Sequence, residues 1–499
     1  MAQATIDRQS KLEQANQALQ ERAATIGKDH RLGYHIMAPA NWINDPNGLV
    51  FFKGEYHVFY QHHPYDEHWG PMHWGHAKSA DLVHWEHLPI ALAPDHEYDK
   101  DGCFSGSAVV KDDTLYLIYT GHVWVDRPKD IAIQTQCIAY SKDGVTFTKY
   151  EHNPVIENVP SDSTGHFRDP KVWEKNGTFH MVLGNRTKED VGRVIHYSSS
   201  NLIDWKYEGV LAKADEKLGY MWECPDFFTV DGKEVLFFSP QGMKADGDRY
   251  QNLYQTGYLV GTYDESSKEF VHGSFEELDK GHDYYAVQTL EDHKGRRIAI
   301  GWMDMWESEM PTKEDGWCGA MTLPREVSVN QDQKVIMKPV EELKMLRKDQ
   351  LSVSADVIDH EVKLSGCQGE LLELELVFTL KDITAKEFGV MVRKSTDGTE
   401  QTIISVDVEQ SKLFIDRDQS GKGVKGIRKT HIDLEQDVCK LHIYLDRSSV
   451  EIFANDGEIN MTSRIYPKTS SIDVAFYAKN GKVKLETANV WTLKDIWEG

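Results

Sequence analysis

The sequence lacks an excess of positive charge and lacks long apolar runs. Its 499 residues include 56 Lys and Arg against 80 Asp and Glu, a formal net charge of −24. Proteins that bind nucleic acids need a basic surface to displace counterions from phosphates, and anionic membranes attract basic segments in the same way. No apolar run approaches the roughly 18 residues of a membrane span. The composition therefore predicts neither a nucleic-acid partner nor a membrane partner.

Cysteines are also few, and their spacing forms no metal or redox motif. The six are Cys103, Cys137, Cys224, Cys318, Cys367 and Cys439. None belongs to a CxxC pair, and none pairs with a His at the spacing of a zinc site. We therefore expect reduced, partly buried thiols and no disulfide framework. We predict no metal site and no cofactor.

The first 30 residues lack the apolar stretch of a secretion signal, so that we expect a cytoplasmic protein. Their apolar residues instead recur at helical spacing, at Ile6, Leu12, Ala15, Leu19 and Ala23. This spacing predicts a short amphipathic helix that packs on the rest of the chain. Residues 1–30 are thus predicted to form an N-terminal helical extension.

Extended segments broken by tight turns recur over the first 300 residues. The turns fall at Gly54, Asp113, Gly177, Gly232 and Gly295, which are 59, 64, 55 and 63 residues apart. Five units of about 60 residues, each long enough for four strands, are typical of a five-bladed β-propeller. We place this domain at residues 31–335. The alternative is a large β-sandwich with irregular loops.

The repeat stops after residue 303. A Pro and a short charged helical pattern predict a linker over residues 336–351. Beyond it, apolar and polar residues alternate with period two, as in Leu372, Leu374 and Leu376. Such alternation favours a half-buried antiparallel β-sandwich over residues 352–499. The predicted fold class is therefore all-β, a five-bladed β-propeller followed by a C-terminal β-sandwich, with a short N-terminal helix.

Three acids occupy one register of the repeat. Asp45 and Glu223 each lie nine residues before their hairpin turn, and Asp169 and Ser105 each lie eight residues before theirs. Equivalent positions of a propeller surround its axis, so these four side chains are predicted to converge on one central cavity. The alternative is that the Asp-Pro and Asn-Pro pairs near these positions only open turns and cap strands.

Carboxylates that share a cavity repel one another, which raises the pKa of at least one of them. An acid of raised pKa beside an ionised carboxylate is the pair that glycoside hydrolysis requires. Aromatic residues near the acids can stack on the apolar face of a sugar, and amides, hydroxyls and a guanidinium can bind its hydroxyl groups. The candidate substrate-binding residues are Trp42, Ile43, Asn44, Gln61, Trp69, Phe104, Ser105, Arg168 and Trp302.

Four motifs, in this order and spacing, resemble glycoside hydrolase family 32. They are WINDPNG (Trp42–Gly48), FSGS (Phe104–Ser107), FRDP (Phe167–Pro170) and WECP (Trp222–Pro225). The resemblance covers residues 31–499 and includes SVEIFANDG (Ser449–Gly457) in the predicted sandwich.

The resemblance implies a catalytic role for each of the three acids. Asp45 would be the nucleophile that forms a covalent fructosyl-enzyme, and Glu223 would be the general acid/base. Asp169 would bind fructosyl hydroxyls and stabilise the transition state. A retaining pair of this kind has carboxyl groups about 5–5.5 Å apart. Cys224 is expected to tune Glu223 by packing or by a weak S–H contact.

Within the family, the N-terminal helix resembles that of the bacterial intracellular members, which implies sucrose 6-phosphate as the substrate and sucrose as a second one. A fructan hydrolase of the inulinase or levanase kind and a fructosyltransferase would use the same acids. A non-catalytic carbohydrate-binding propeller is the alternative from another class. We expect a small sugar as the partner, with a homodimer as a further possibility. No phosphate-binding loop is recognisable in the sequence.

Overall fold

The computed structural model describes residues 2–215 and 217–497, with side chains throughout except at 2–10 and 353–356. It opens with α1 (Ala2–Ala23), whose Ala15 and Leu19 are buried against Ile90. The predicted helix is therefore confirmed, although the side chain of Ile6 lies outside the described residues. No described helix is long and apolar enough to cross a membrane.

Five antiparallel sheets follow in chain order. The first contains β1 (Asn41–Phe52), β2 (Glu55–His63), β3 (His73–Ser79) and β4 (Trp85–Leu92). The second contains β5 (Gly102–Lys111), β6 (Thr114–Asp126), β7 (Ile131–Ser141) and β8 (Thr148–Lys149). The third contains β9 (Ser163–Lys175), β10 (Thr178–Thr187), β11 (Gly192–Ser199) and β12 (Lys206–Lys213). The fourth contains β13 (Met221–Val230), β14 (Lys233–Gln241), β15 (Gly257–Asp264), β16 (Glu269–His272) and β17 (Glu276–Glu277).

The fifth sheet contains β18 (Tyr285–Glu291), β19 (Arg297–Trp302), β21 (Arg325–Val329) and β22 (Val335–Pro339). In the chain, β20 (Trp317–Cys318) lies between β19 and β21, but it pairs in parallel with β1 and so belongs to the first sheet. The first strand of each sheet packs against the first strand of the next, and β18 packs against β1. The described sheets therefore close into a ring, which is the arrangement of a β-propeller.

The recurring Ser turns of the sequence form one repeated structure. The hydroxyl groups of Ser79, Ser141 and Ser199 each bond the side chain two residues later. Those side chains in turn accept backbone N–H groups of the same turn, as in an Asx-turn. Local side-chain to backbone bonds thus stabilise the connection between the third and fourth strands in three sheets.

Two further sheets form the C-terminal β-sandwich. One contains β23 (Arg347–Ile358), β24 (Leu372–Thr379), β29 (Val438–Asp446), β30 (Ser449–Ala454), β31 (Ile459–Arg464) and β33 (Val483–Leu493). The other contains β25 (Glu387–Lys394), β26 (Gln401–Asp407), β27 (Lys412–Gln419), β28 (Ile427–His431) and β32 (Asp473–Lys479). Alternate residues such as Leu374, Leu376 and Phe378 face one shared apolar core, as the period-two pattern predicts.

The connection between the two domains is shorter than the linker placed at 336–351. The last propeller strand, β22, runs to Pro339, and β23 begins at Arg347. A 3₁₀-helix over Glu341–Leu346 fills the interval and buries Leu343 and Leu346. The Pro of the sequence pattern therefore ends a strand of the propeller, and the charged pattern after it forms the 3₁₀-helix.

Buried ion pairs join the propeller to the sandwich. The two ring nitrogens of His35 lie 2.7 Å from Asp446 Oδ2 and 2.9 Å from Glu451 Oε1. Arg325 donates to Glu451 Oε2 at 2.6 Å and to Asp279 Oδ2 at 3.0 Å. Because all five side chains are almost completely buried, their charges depend on these partners, and His35 and Arg325 of the propeller share Glu451 of the sandwich.

We predict that His35 stabilises the fold in a pH-dependent way. Burial lowers the pKa of His35, but the hydrogen bonds and charges of Asp446 and Glu451 outweigh burial and raise the pKa to about 9. A raised folded-state pKa stabilises the protein below pH ~6.5, by roughly 3 kcal/mol, and this contribution is lost as the pH rises through 9. His35→Gln should therefore lower the free energy of unfolding much more at pH 6 than at pH 9.5.

Denaturant unfolding of both proteins at the two pH values measures this difference. His84→Gln is the matched control, because His84 forms an exposed ion pair with Asp81 and should contribute little at either pH. An equal loss from His35→Gln at pH 6 and pH 9.5 would show that His35 is not charged in the folded protein.

Candidate active site

Every first strand of the ring carries an irregularity at the same register. The pairing with the second strand shifts between Ile43 and Pro46, Phe104 and Gly106, Arg168 and Lys171, Glu223 and Asp226, and Tyr285 and Gln288. A β-bulge leaves residues out of the ladder and re-aims their side chains. The bulged segments contain or adjoin the acids and Ser105, so five repeated bulges direct these side chains to one end of the ring.

Three of the bulged residues, Asp169, Cys224 and Ala286, have left-handed backbone conformations. Asp169 has φ of 65° and Cys224 has φ of 49°, which are uncommon for residues other than glycine. Asp169 N donates to Thr120 Oγ1 at 3.1 Å, and Cys224 N donates to Asp169 Oδ2 at 2.9 Å. These bonds join neighbouring sheets and hold the strained backbone in place.

Asp45 accepts hydrogen bonds on both carboxylate oxygens. Asn44 Nδ2 donates to Oδ1 at 3.0 Å, and Ser105 Oγ donates to Oδ2 at 2.6 Å. Asn44 is itself oriented by Trp42, whose Nε1 donates to Asn44 Oδ1 at 2.7 Å. Four of the predicted site residues therefore form one hydrogen-bonded chain between the first and second sheets.

Glu223 is held by one charged and two polar neighbours. Arg168 donates to Oε1 from Nε at 3.0 Å and from Nη2 at 2.7 Å. Gln241 Nε2 and the Tyr285 hydroxyl donate to Oε2, at 2.7 and 2.5 Å. Arg168 thus contacts the acid directly, and its guanidinium also lies 3.9 Å from Asp169 Oδ2.

The three acids influence one another electrostatically. Burial and the charge of Glu223 raise the pKa of Asp45, while the bonds from Ser105 and Asn44 lower it. Burial raises the pKa of Asp169 to about 7, with Glu223 and Asp45 adding to the rise and Arg168 opposing it. The predicted repulsion within one cavity is therefore present at Asp45 and Asp169.

Cys224 contacts the other two acids instead of Glu223. Its Sγ lies 3.6 Å from Asp45 Oδ2 and 3.7 Å from Asp169 Oδ2. The expectation that its thiol acts on Glu223 is corrected here, because the left-handed backbone at Cys224 directs the thiol toward the first and third sheets. Burial and the nearby carboxylates raise the pKa of the thiol, so Cys224 remains protonated.

Aromatic side chains form one wall beside the acids. Trp42, Trp69 and Phe104 belong to a single apolar cluster that also includes Cys224 and Tyr285. Trp69 and Phe104 meet edge to face with ring centroids 6.0 Å apart. Both rings are partly exposed, so they offer apolar surface to a ligand.

Three other predicted residues lie deeper. Ile43 is completely buried in the core between the first and fifth sheets, and Trp302 is completely buried beneath Trp42 and Trp306. Neither side chain has exposed surface for a sugar: Ile43 points to the opposite face of its strand from its neighbours, and two other indoles cover Trp302. Gln61 is also buried and donates to Cys103 O at 2.9 Å, which ties the first sheet to the second.

Sequence reasoning missed Tyr285 and Gln241, which both contact Glu223. Tyr285 lies ten residues before Gly295, close to the register that the acids occupy in the other sheets. Counting eight or nine residues back from Gly295 gives Val287 and Ala286, so the same count misses Tyr285 by one residue. Gln241 ends β14 opposite Met221, and no motif in the sequence marks it.

Three groups of acids and histidines could each hold a cation. They are Asp66, Glu67 and His68; Asp95, His96 and Asp99; and Glu373, Glu375 and His442. Lys149 lies 2.6 Å from Asp95 and 2.5 Å from Asp99, and Arg347 occupies the third group in the same way. None of these groups includes the three acids of the site.

A cavity of about 770 Å³ opens at the other end of the ring. It is lined by Val110, Trp173 and Phe228 and by an ion pair in which Lys171 Nζ donates to Asp226 Oδ2 at 2.8 Å. None of the three acids lines it. The three acids, Arg168 and the aromatic rings therefore lie outside this cavity.

Comparison with known families agrees with this geometry. Residues 35–339 match the N-terminal domain of the glycosyl hydrolases family 32, and residues 342–492 match the C-terminal domain of that family. The chain belongs to glycosyl hydrolase family 32. The two matched segments meet between Pro339 and Glu342, where the propeller ends.

Individual members are similar over nearly their whole length. The sucrose-6-phosphate hydrolase of Escherichia coli is 43% identical over 97% of this chain and 99% of that protein. A beta-fructofuranosidase mutant from Bombyx mori, solved in complex with sucrose, has a TM-score of 0.87 at 36% identity and covers 98% and 99% of the two chains. The sucrose-6-phosphate hydrolase from Lactobacillus gasseri has a TM-score of 0.86 at 30% identity, with 97% of each chain covered.

We predict that Ser105 sets the acid limit of the activity of this family 32 enzyme. Its hydrogen bond lowers the pKa of Asp45, so Ser105→Ala should raise that pKa. The acid limb of the pH profile of kcat/KM on sucrose should then move to higher pH.

Ser107→Ala is the matched control, since Ser107 lies two residues along the same strand and accepts a bond from Val172 N. Its acid limb should stay in place. A Ser105→Ala limb that stays in place, or moves to lower pH, contradicts the prediction even if the rate falls.

Proposed function

We propose that the protein is a retaining β-fructofuranosidase that hydrolyses sucrose 6-phosphate to glucose 6-phosphate and fructose, and that it also cleaves sucrose. The observation that carries the proposal is the convergence of Asp45, Asp169 and Glu223 at one end of the ring, with Arg168 on Glu223. The name of the Escherichia coli relative, at 43% identity, supports the choice of the phosphorylated sugar.

Asp45 attacks the anomeric carbon of the fructosyl unit. The bonds from Asn44 and Ser105 favour its ionised form and hold its carboxylate in one orientation. Attack gives a covalent fructosyl-enzyme with inverted configuration, and water then displaces Asp45 with a second inversion. Retention of configuration follows from these two steps.

Glu223 protonates the leaving oxygen and later activates the water. Arg168 and Gln241 contact it through N–H groups, which can only donate hydrogen bonds. The Tyr285 hydroxyl can also accept one, so a proton on Oε2 has a partner at 2.5 Å. We therefore assign the transferable proton to Oε2, which faces Tyr285.

Asp169 binds the fructosyl hydroxyl groups. Cys224 N occupies its Oδ2, which leaves Oδ1 to accept a bond from the sugar. A carboxylate at this place also stabilises the positive charge that develops on the ring in the transition state. Trp69 and Phe104 supply the apolar wall on which the sugar packs.

Sucrose itself is the second substrate, a choice supported by the Bombyx mori structure that contains it. A phosphorylated sugar carries charge and does not cross a bilayer unaided, so we propose a cytoplasmic location for the enzyme. The possibility of a homodimer stays a prediction.

The roles of the two catalytic acids can be separated by leaving group. Glu223→Gln should slow the hydrolysis of sucrose, whose sugar leaving group needs a proton, on the order of a hundredfold or more. An aryl β-fructofuranoside with an acidic phenol should be affected much less. Asp45→Asn is the matched variant and should lose both activities, because every leaving group requires the attack.

Measuring kcat for both substrates with the two variants tests the assignment. Equal losses with Glu223→Gln on the two substrates would remove Glu223 from the acid role. An Asp45→Asn protein that kept more than a few per cent of the wild-type rate would remove Asp45 from the nucleophile role.

The preferred substrate is tested by comparing kcat/KM for sucrose 6-phosphate and for sucrose under identical conditions. We expect the phosphorylated sugar to be favoured at least tenfold, which corresponds to about 1.4 kcal/mol of additional binding in the transition state. A ratio near one would make the enzyme an invertase without preference for the phosphate.

A further inference from the structure

We propose that Arg127 binds the phosphate group of the glucosyl unit in sucrose 6-phosphate. The inference rests on the proposed function and adds the residue that selects the phosphorylated substrate. Arg127 is the first residue of the short 3₁₀-turn Arg127–Lys129, which connects β6 to β7 in the second sheet. Its guanidinium carbon lies 5.5 Å from the ring centre of Trp69 and 5.9 Å from that of Trp124.

This position is next to the proposed sugar site. Trp69 packs edge to face on Phe104, which stacks on His122 with ring centroids 4.0 Å apart. Phe104 immediately precedes Ser105, whose hydroxyl lies 2.6 Å from Asp45. A short series of contacts therefore connects the guanidinium to the nucleophile along the aromatic wall.

Two cations near this turn are paired with acids, whereas Arg127 is not paired with any described acid. Lys129 lies 2.8 Å from Asp126, and Arg186 lies 2.7 Å from Asp190. Arg186 also lies 3.9 Å from Asp130. Among the described residues, no carboxylate lies within ion-pair distance of Arg127, although the chain has 80 acidic residues.

An unpaired arginine that lies on an aromatic face is suited to bind a phosphate. Stacking holds the guanidinium plane and leaves its N–H edge free to donate two parallel hydrogen bonds. Arg127 is exposed, so the guanidinium and a bound phosphate both stay partly hydrated, and the desolvation cost of binding is small. The site thus fits a phosphate monoester dianion carried on the leaving sugar.

Lys313 is the competing cation. Its Nζ lies 5.3 Å from the ring centre of Trp42. Burial raises the pKa of Asp304 to about 7 and the charge of Lys313 opposes this rise, so Lys313 already interacts with a carboxyl group. A lysine also offers no bidentate edge. We therefore assign the phosphate to Arg127.

The experiment measures kcat/KM on sucrose 6-phosphate and on sucrose for wild type, Arg127→Gln and Lys129→Gln. The ratio of the two constants should fall tenfold or more in Arg127→Gln, mainly through KM for the phosphorylated sugar. Lys129→Gln removes a neighbouring exposed charge that is already paired and should leave the ratio within twofold of wild type. Arg127→Lys should recover part of the lost ratio.

The outcomes separate the two proposals. A wild-type ratio near one would overturn the proposed substrate and, with it, the role of Arg127. A high wild-type ratio that Arg127→Gln retains would overturn the role of Arg127 alone, and a loss with Lys313→Gln would then move the phosphate to the other wall. Inhibition by glucose 6-phosphate gives an independent readout, since Arg127→Gln should weaken it at least tenfold relative to inhibition by glucose.

Discussion

The closed ring of first strands is the constraint on which the site depends. Because β18 packs back against β1, the first strands of the five sheets surround one axis. Their bulged segments share one register, and three of the side chains at that register are carboxylic acids. Burying like charges together is costly. The ring balances this cost with Arg168 on Glu223 and with hydroxyl and amide donors from Ser105 and Asn44 on Asp45.

The C-terminal sandwich extends this constraint to the wall behind the site. Arg464 of β31 pairs with Asp304 at 2.9 Å and lies 5.5 Å from the ring of Trp317, in the strand that pairs with β1. Asp304 follows Trp302, whose buried ring supports Trp42. The sandwich therefore contacts the segment that pairs with β1, on the side of Trp302 and Trp42.

The position of the acids could be predicted from the sequence because register depends only on the number of residues between each acid and its hairpin turn. Turn spacing alone placed Asp45, Asp169 and Glu223 at equivalent points, and the bulges confirm that they share a register. The direction of a single side chain depends on local backbone and could not be predicted in this way. The thiol of Cys224 points toward Asp45 because of its φ of 49°, and Ile43 faces the core because the strand alternates.

The net charge of −24 would repel a phosphorylated substrate from the site only if distant charges were felt there. At physiological ionic strength the Debye length is about 8 Å, so exposed charges farther away are largely screened. The field at the site is then set by its nearest groups, where Asp126 pairs with Lys129 and where Asp130 and Asp190 share Arg186. Pairing of these acids cancels their local repulsion and leaves the guanidinium of Arg127 as an unopposed charge. An acidic enzyme can thus select a dianion without a basic surface, provided that one arginine at the rim is kept free of carboxylates.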